Sequence, residues 1–246
     1  MYVFVGELRV ERRWVQTKVE GWAESVKTLV GVARKHPQSA YAGLQKSLQQ
    51  EWAFVQRVTP GIGKAFVPVE EDIAKAFFPA LFEGAGDGAP GREITRLPVK
   101  QAGMALPNPT LTAPENCQAS CVITGHLVPA LRGQVPFRTA DHAAFLRDGR
   151  AAVRRQNAAK AVASLETTIA RAPAVVTRRL RRATKTGAWL TVQPSTVNGT
   201  ELGAQEWRDT AFLRYGLEPP DLSKHCDGCN AKFSICHALD CKRGVL

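Results

Sequence analysis

Apolar side chains recur at every third or fourth position along most of this chain, and that spacing predicts a mainly helical protein. The first such helix covers about residues 12–35 and ends before Pro37, because proline disfavours the helical conformation in the residue that precedes it. A second helix is predicted over about 39–58, and a third begins near Pro68. Together these helices predict a helical bundle over residues 1–83.

Glycine and proline dominate the next part of the chain, and we predict a linker of extended and turn structure over residues 84–140. Within it, only residues 117–131 favour a short helix. Cys117 and Cys121 would share one face of that helix. Since no second pair of ligands accompanies them, we interpret both as core residues rather than as metal ligands.

Helical patterning returns over residues 141–220, the third predicted region. A long helix is predicted over 141–171, and Pro173 can then occupy the first turn of a further helix that ends near Gly187. A last amphipathic helix is predicted at about residues 205–215.

Positive charge is concentrated in this third region. The whole chain has a net charge of +11, and residues 147–185 contain eleven basic side chains but only two acidic ones. A solvated helix face normally mixes both signs, so this imbalance favours a surface that binds the phosphate backbone of a nucleic acid. The predicted contact residues are Arg154, Arg155, Lys160, Arg171, Arg178, Arg179, Arg181, Arg182 and Lys185. The alternative is a solvated face without a partner.

The fourth predicted region, residues 221–246, contains a cluster of cysteine and histidine. Cys226, Cys229, His237 and Cys241 follow the pattern C-x2-C-x7-H-x3-C, which is typical of a small knuckle around one structural Zn²⁺ ion. Replacing His237 by Cys236 gives an alternative ligand set, and His225 lies within the same window. Free or disulfide-bonded cysteines are the remaining interpretation.

Other function classes find little support in the sequence. No run of about 18 apolar residues is present, so we expect neither a membrane span nor a membrane partner. The cysteine pattern is not that of a disulfide scaffold, and we expect an intracellular protein, in the nucleus. No phosphate-binding glycine loop or hydrolase motif occurs, and we predict no catalytic residue. His126 and His142 are interpreted as ordinary, separate residues.

Several short motifs, taken in order, resemble the region after the polymerase palm in non-LTR (LINE-type) retrotransposon reverse transcriptases. They lie at Trp14, Val15, Val19, Trp22 and Trp52, in residues 37–43, 58–62, 68–71, 78–81, 97–100, 189–190 and 212–216, at Gly103, Asn108 and Pro109, and in the terminal Cys/His cluster. The resemblance covers nearly the whole chain.

This resemblance implies that residues 1–83 are similar to the polymerase thumb, and that the later helices and the knuckle bind DNA, RNA or a hybrid of the two. The Tyr/Phe-x-Asp-Asp motif of such polymerases is absent from the sequence, so we expect no catalysis by the chain alone. The missing palm is then a possible partner. Alternatives are a fragment or decayed copy of a polyprotein that needs its palm in trans, and a zinc-dependent protein-interaction module.

Overall fold

The computed structural model describes residues 8–83, 90–220 and 222–234, together with 237, 241 and 243. The prediction of a mainly helical protein with a C-terminal Cys/His cluster is confirmed. Within these residues, extended segments pair only in an isolated antiparallel bridge between His225 and Lys232. The described helices include none that is both long and apolar enough to cross a membrane.

The three helices predicted for the first region are present, and two of them contain a π turn. Helix α1 spans Leu8–Lys35. The second predicted helix consists of α2 (Pro37–Gly43), a π turn (Leu44–Leu48) and α3 (Gln49–Val58) without a break. After a 3-10 turn at Gly63–Phe66, the third consists of α4 (Val67–Asp72), a π turn (Ile73–Phe77) and α5 (Phe78–Leu81).

The aromatic centre of this bundle is Trp22 of α1. Its ring stacks on Phe66 with centroids 5.9 Å apart and meets Trp52 edge-on at 6.3 Å. The indole N–H, which would otherwise lose its hydrogen bond on burial, donates to the carboxylate of Glu51 at 3.1 Å. These contacts join α1 to α3 and to the turn before α4.

The prediction of an extended linker over residues 84–140 is wrong for most of its described part, although the short helix predicted over 117–131 is largely present. Helices α6 (Arg92–Thr95), α7 (Pro109–Thr124) and α8 (Leu127–Leu131) and a 3-10 turn (Val99–Gln101) lie within it. Proline misled the prediction, because at the first helical position it starts a helix rather than preventing one. Asn108 caps α7 by accepting a hydrogen bond from the backbone N–H of Thr110 at 2.8 Å.

Helix α7 packs along α3, and the buried side chain of Gln56 joins them. Its amide donates to the carbonyl oxygen of Pro109 at 2.9 Å and accepts from Asn116 at 2.8 Å. Beyond this contact, residues of the second half of α7 lie beside α9. There Cys117 is half-buried and Cys121 is exposed, so the prediction that both cysteines lie in a core is wrong.

The helices predicted for the third region are present with small changes at their ends. They are α9 (Thr139–Arg171), α10 (Ala174–Ala183) and α11 (Ala204–Tyr215). In α9 only Leu165 and Ile169 are buried. Its first half packs on the second half of α7, and His126, just before α8, contacts His142 and Phe145 near its start. We call the first half of α9, the second half of α7 and α8 the arm. Helix α11 is packed more deeply, and Trp207 and Phe212 join the same hydrophobic core as the first bundle.

Candidate metal centre and basic face

A short hairpin positions the first two cysteines of the cluster. The backbone N–H of Cys226 donates to Ala231 O at 2.9 Å, and that of Asn230 donates back to Cys226 O at 2.8 Å. Asn230 closes the turn in the left-handed region, with φ of 58°, a conformation that asparagine tolerates better than most residues. The hairpin thereby directs both cysteine side chains to one side.

Four side chains converge at this hairpin, and they are the ones predicted from the sequence. The ligand atoms of Cys226, Cys229, His237 and Cys241 all lie within 4.8 Å of one another and could hold one metal ion. The Cys241 sulfur lies 3.5 Å from that of Cys226 and 3.7 Å from that of Cys229, and His237 Nε2 lies 3.2 Å from the Cys229 sulfur. Tetrahedral Zn–S bonds of about 2.3 Å place sulfurs about 3.8 Å apart, whereas a disulfide requires about 2.05 Å.

The local electrostatics favour the ligating form of the first cysteine. Backbone N–H groups of Cys229 and Gly228 point at the Cys226 sulfur and, with the His237 side chain, lower its pKa to about 6 despite the opposing effect of burial. A thiolate is the form that binds metals, so the lowered pKa favours Cys226 as a ligand.

The sequence also offered His225 and Cys236 as candidate ligands. His225 is exposed and takes part in the backbone bridge to Lys232, outside the convergent group. Cys236 lies outside the described residues, so the alternative ligand set that contains it stays a prediction.

The strongest concentration of charge lies on one side of α10 and the turn that follows it. Arg178, Arg181, Arg182 and Lys185 are all exposed, at the spacing i, i+3, i+4, i+7 that places residues on one helix face. We call these four residues the basic face. Leu180 and Ala183 are buried on the opposite side. In the part of the chain that the structure describes, no carboxylate lies within 4.0 Å of the basic face.

Arg179 differs from its neighbours, although the sequence grouped it with them. Its side chain is half-buried and lies against Gly216, where an added Cβ would come within 2.6 Å of the Arg179 Cδ and Nε atoms. Gly216 has φ of 68° and ends α11. Arg179 therefore joins α10 to the end of α11.

The predicted contact residues of α9 form a looser group. Arg154, Arg155 and Arg171 are exposed. No carboxylate of the described residues forms an ion pair with any of them. Lys160 instead forms an ion pair with Glu115 of α7 at 3.1 Å, with about half of each side chain exposed. Its charge is therefore partly neutralised within the protein.

Two features that the sequence did not indicate depend on the tertiary fold. Arg96, isolated in the sequence, lines a surface cavity together with Arg171. His126 and His142, which were predicted to be separate, lie with Nε2 and Nδ1 2.6 Å apart at the end of the arm. Neither pair has a sequence spacing that could have revealed it, because each joins different helices or loops.

Comparisons with protein-family models, with curated proteins and with solved structures find no match to this chain. The resemblance to LINE-type reverse transcriptases therefore rests on the sequence motifs alone.

Proposed function

We propose that this chain is a zinc-containing, nucleic-acid-binding segment of a retrotransposon reverse transcriptase, without catalytic activity of its own. The observation that carries the proposal is the basic face, where four exposed cations lie together and no carboxylate of the described residues pairs with them. Arginine suits such a surface, because its planar guanidinium can donate two hydrogen bonds to one phosphate. The partner is DNA, RNA or a hybrid of the two.

Zinc is the metal that we assign to the Cys/His cluster. Three thiolates and one imidazole are a donor set typical of structural Zn²⁺, and they leave no open position for a substrate. We expect elemental analysis to find one zinc per chain after purification without chelator. A Cys229→Ser variant should lose that zinc, and retention of a full equivalent would contradict the assignment.

The nucleic-acid proposal is tested by removing the basic face and by comparing a matched control. The test variant carries Arg178→Gln, Arg181→Gln, Arg182→Gln and Lys185→Gln. The control carries Arg12→Gln, Arg13→Gln, Lys18→Gln and Lys35→Gln, four exposed changes on α1 that remove the same charge. We expect the test variant to lose most of its affinity for a labelled RNA–DNA duplex and the control to keep it. Equal losses of duplex affinity in the two variants would mean that net charge, and not the basic face, determines binding.

The link to a reverse transcriptase is tested in the coding DNA. A Tyr/Phe-x-Asp-Asp palm encoded upstream, in any frame, supports a thumb-like role for residues 1–83, with the palm supplied by the rest of the polyprotein or in trans. In that role the protein would act on target DNA in the nucleus. Upstream DNA without any trace of a palm would contradict it.

A second candidate function is a protein-interaction module, and the end of the arm favours it. Leu131 is 84% exposed, and Val128 and Phe137 nearby are also exposed. Such side chains grouped at the end of an arm are typical of a contact surface for another protein. Partner binding that does not change with salt, together with no binding of DNA or RNA, would favour this function over nucleic-acid binding.

A further inference from the structure

A cleft of about 460 Å³ lies between α9 and the segment that leads into α7. Its walls are largely apolar and include Leu97, Pro107, Leu111 and Ala161. Leu111 is 53% exposed, which leaves an apolar surface open to solvent. Polar and charged side chains also line the cleft, so it combines an apolar surface with hydrogen-bonding groups, as sites for small organic groups do.

The polar groups of the cleft include carboxamides and a hydroxyl. Gln49 and Asn157 reach it from α3 and α9, and Ser164 lies at its far end. Carboxamide side chains both donate and accept hydrogen bonds, as the edges of nucleobases do. Among the described residues no aromatic side chain lines the cleft, so a base here would be held by apolar contact and hydrogen bonds rather than by aromatic stacking.

A second cavity, of about 390 Å³, continues the cleft toward α10. Arg96 and Ser164 line both cavities, so the two form one groove along α9. This end is more polar: Thr167, Thr168 and Arg171 line it, and Val176 of α10 closes it. The groove therefore leads from an apolar cleft to the start of the helix that carries the basic face.

Charge in the groove favours an anion at its polar end. Arg96 and Arg171 have no carboxylate within 4.0 Å in the described part of the chain. Glu93 also lines this end, but its carboxylate is folded back against Gly91, where an added Cβ would lie 2.2 Å from its Oε1. At the apolar end, Glu115 is already paired with Lys160.

We infer that this groove binds an unpaired nucleotide of a single-stranded nucleic acid, with the base in the apolar cleft and its phosphate between Arg96 and Arg171. The inference rests on the proposed function and narrows its ligand to a strand with at least one unpaired base. Arg171 is the last residue of α9 and Arg178 lies in the second turn of α10, so the polar end of the groove lies near the start of the basic face in the chain. With a duplex backbone on the basic face and a single strand in the groove, the protein would bind a junction between duplex and single-stranded nucleic acid.

The test fills the cleft without changing charge. Ala161 lines the cleft, whereas Ala163, two residues later, is exposed on the other side of α9. We expect Ala161→Trp to lower affinity for a labelled oligothymidylate at least tenfold and to leave duplex affinity within twofold. The control, Ala163→Trp, should change neither. Equal oligothymidylate binding by the two variants would overturn the inference.

A second variant and a second probe keep the test decisive if Ala161→Trp misfolds. Arg96→Gln with Arg171→Gln should lower oligothymidylate affinity more than Arg12→Gln with Arg13→Gln on α1. An oligonucleotide with a central 4-thiothymidine should photocrosslink to residues of the groove, and an abasic strand should bind more weakly. Crosslinks elsewhere, or equal binding of the abasic strand, would overturn the inference. If the groove inference fails in this way but the wild type still binds duplex, the proposed function stands. If the wild type shows no salt-dependent binding of any nucleic acid, the proposed function and the groove inference both fail.

Discussion

The guanidinium of Arg214 occupies the space next to Gly187 that any larger residue there would need. An added Cβ on Gly187 would lie 2.7 Å from Arg214 Nη1 and 2.9 Å from Nη2. From this position beside Gly187, the buried guanidinium of Arg214 donates hydrogen bonds to Ala183 O at 2.7 Å and to Val99 O and Gly103 O at 3.1 Å. It thereby fixes the end of α10, and with it the basic face, to the segment between α6 and α7.

Replacing Gly187 should therefore destabilise the protein. Gly187→Ala would also place Cβ 2.4 Å from Val99 Cγ1, and φ of −99° shows that the cost is steric rather than conformational. We expect the free energy of unfolding to fall by about 1–3 kcal/mol, as in other overpacked sites. Urea denaturation measures the change.

The control for Gly187 is a glycine on the exposed face of a helix. Gly31 of α1 has no heavy atom within 4 Å of an added Cβ, so Gly31→Ala should raise stability by about 0.5–1 kcal/mol. If Gly187→Ala were as stable as Gly31→Ala, the close packing of Arg214 would be refuted.

The two adjacent arginines of α10 should behave differently when replaced. Arg178→Gln removes a member of the basic face, and we expect it to reduce the salt dependence of duplex binding by about 0.9 in the slope of log K against log salt. Arg179→Gln should change this slope less. It should instead lower stability, because the Arg179 side chain packs against Gly216. Salt titrations and urea denaturation of both variants separate the two roles, and identical behaviour would contradict the assignment.

Because two tyrosines are buried, we predict that the protein is less stable at alkaline pH. Burial raises the pKa of Tyr41 above its ordinary value of 10.0, and it raises the pKa of Tyr215, against the opposing effect of Arg214. Both hydroxyls donate to backbone carbonyls, of Met104 and Ala102 respectively. Below about pH 10 these phenols are protonated in both states. At higher pH the unfolded chain loses their protons first, so the free energy of unfolding falls.

Urea denaturation between pH 8 and 11 measures this alkaline decline. The double variant Tyr41→Phe, Tyr215→Phe should be less stable at pH 8, by about 1 kcal/mol for each hydrogen bond, but its stability should depend less on pH. A decline of the same steepness in the double variant would assign the alkaline loss to other groups.

Removing the metal should affect the knuckle and spare the helices. After chelation we expect faster amide hydrogen exchange at Cys226, Asn230 and Phe233, whose backbone N–H groups form the hairpin bonds. Amides within α1 and α11 should exchange as before. Cys229→Ser should reproduce the effect without chelator, whereas Cys121→Ser, at an exposed cysteine outside the cluster, should not. Equal exchange with and without metal would mean that the hairpin does not depend on an ion.

The sequence predicted those features that depend on local spacing. Helices α1, α9 and α11 have an apolar period or a clear proline or glycine boundary, and the knuckle needs only ligands close together in the chain. The first half of α7 was missed because Pro109 and Pro114 suggested a linker, although its contacts with Gln56 stabilise it.

The features that escaped prediction join distant parts of the chain. Arg96 and Arg171 line the same cavity, and Arg214 reaches carbonyls of two separate segments. Arg179 and Arg178 are adjacent and chemically identical, so only the packing of α10 on α11 assigns them different roles. Spacing in the sequence carries no information about such contacts.

The most direct test of nucleic-acid binding by the basic face is a salt titration of the zinc-loaded protein with a labelled RNA–DNA duplex. We predict that log K falls linearly with log salt, and that replacing the four residues of the basic face reduces the slope by up to about 3.6 while the α1 control keeps the wild-type slope. A wild-type slope near zero, or equal slopes in the two variants, would contradict the account.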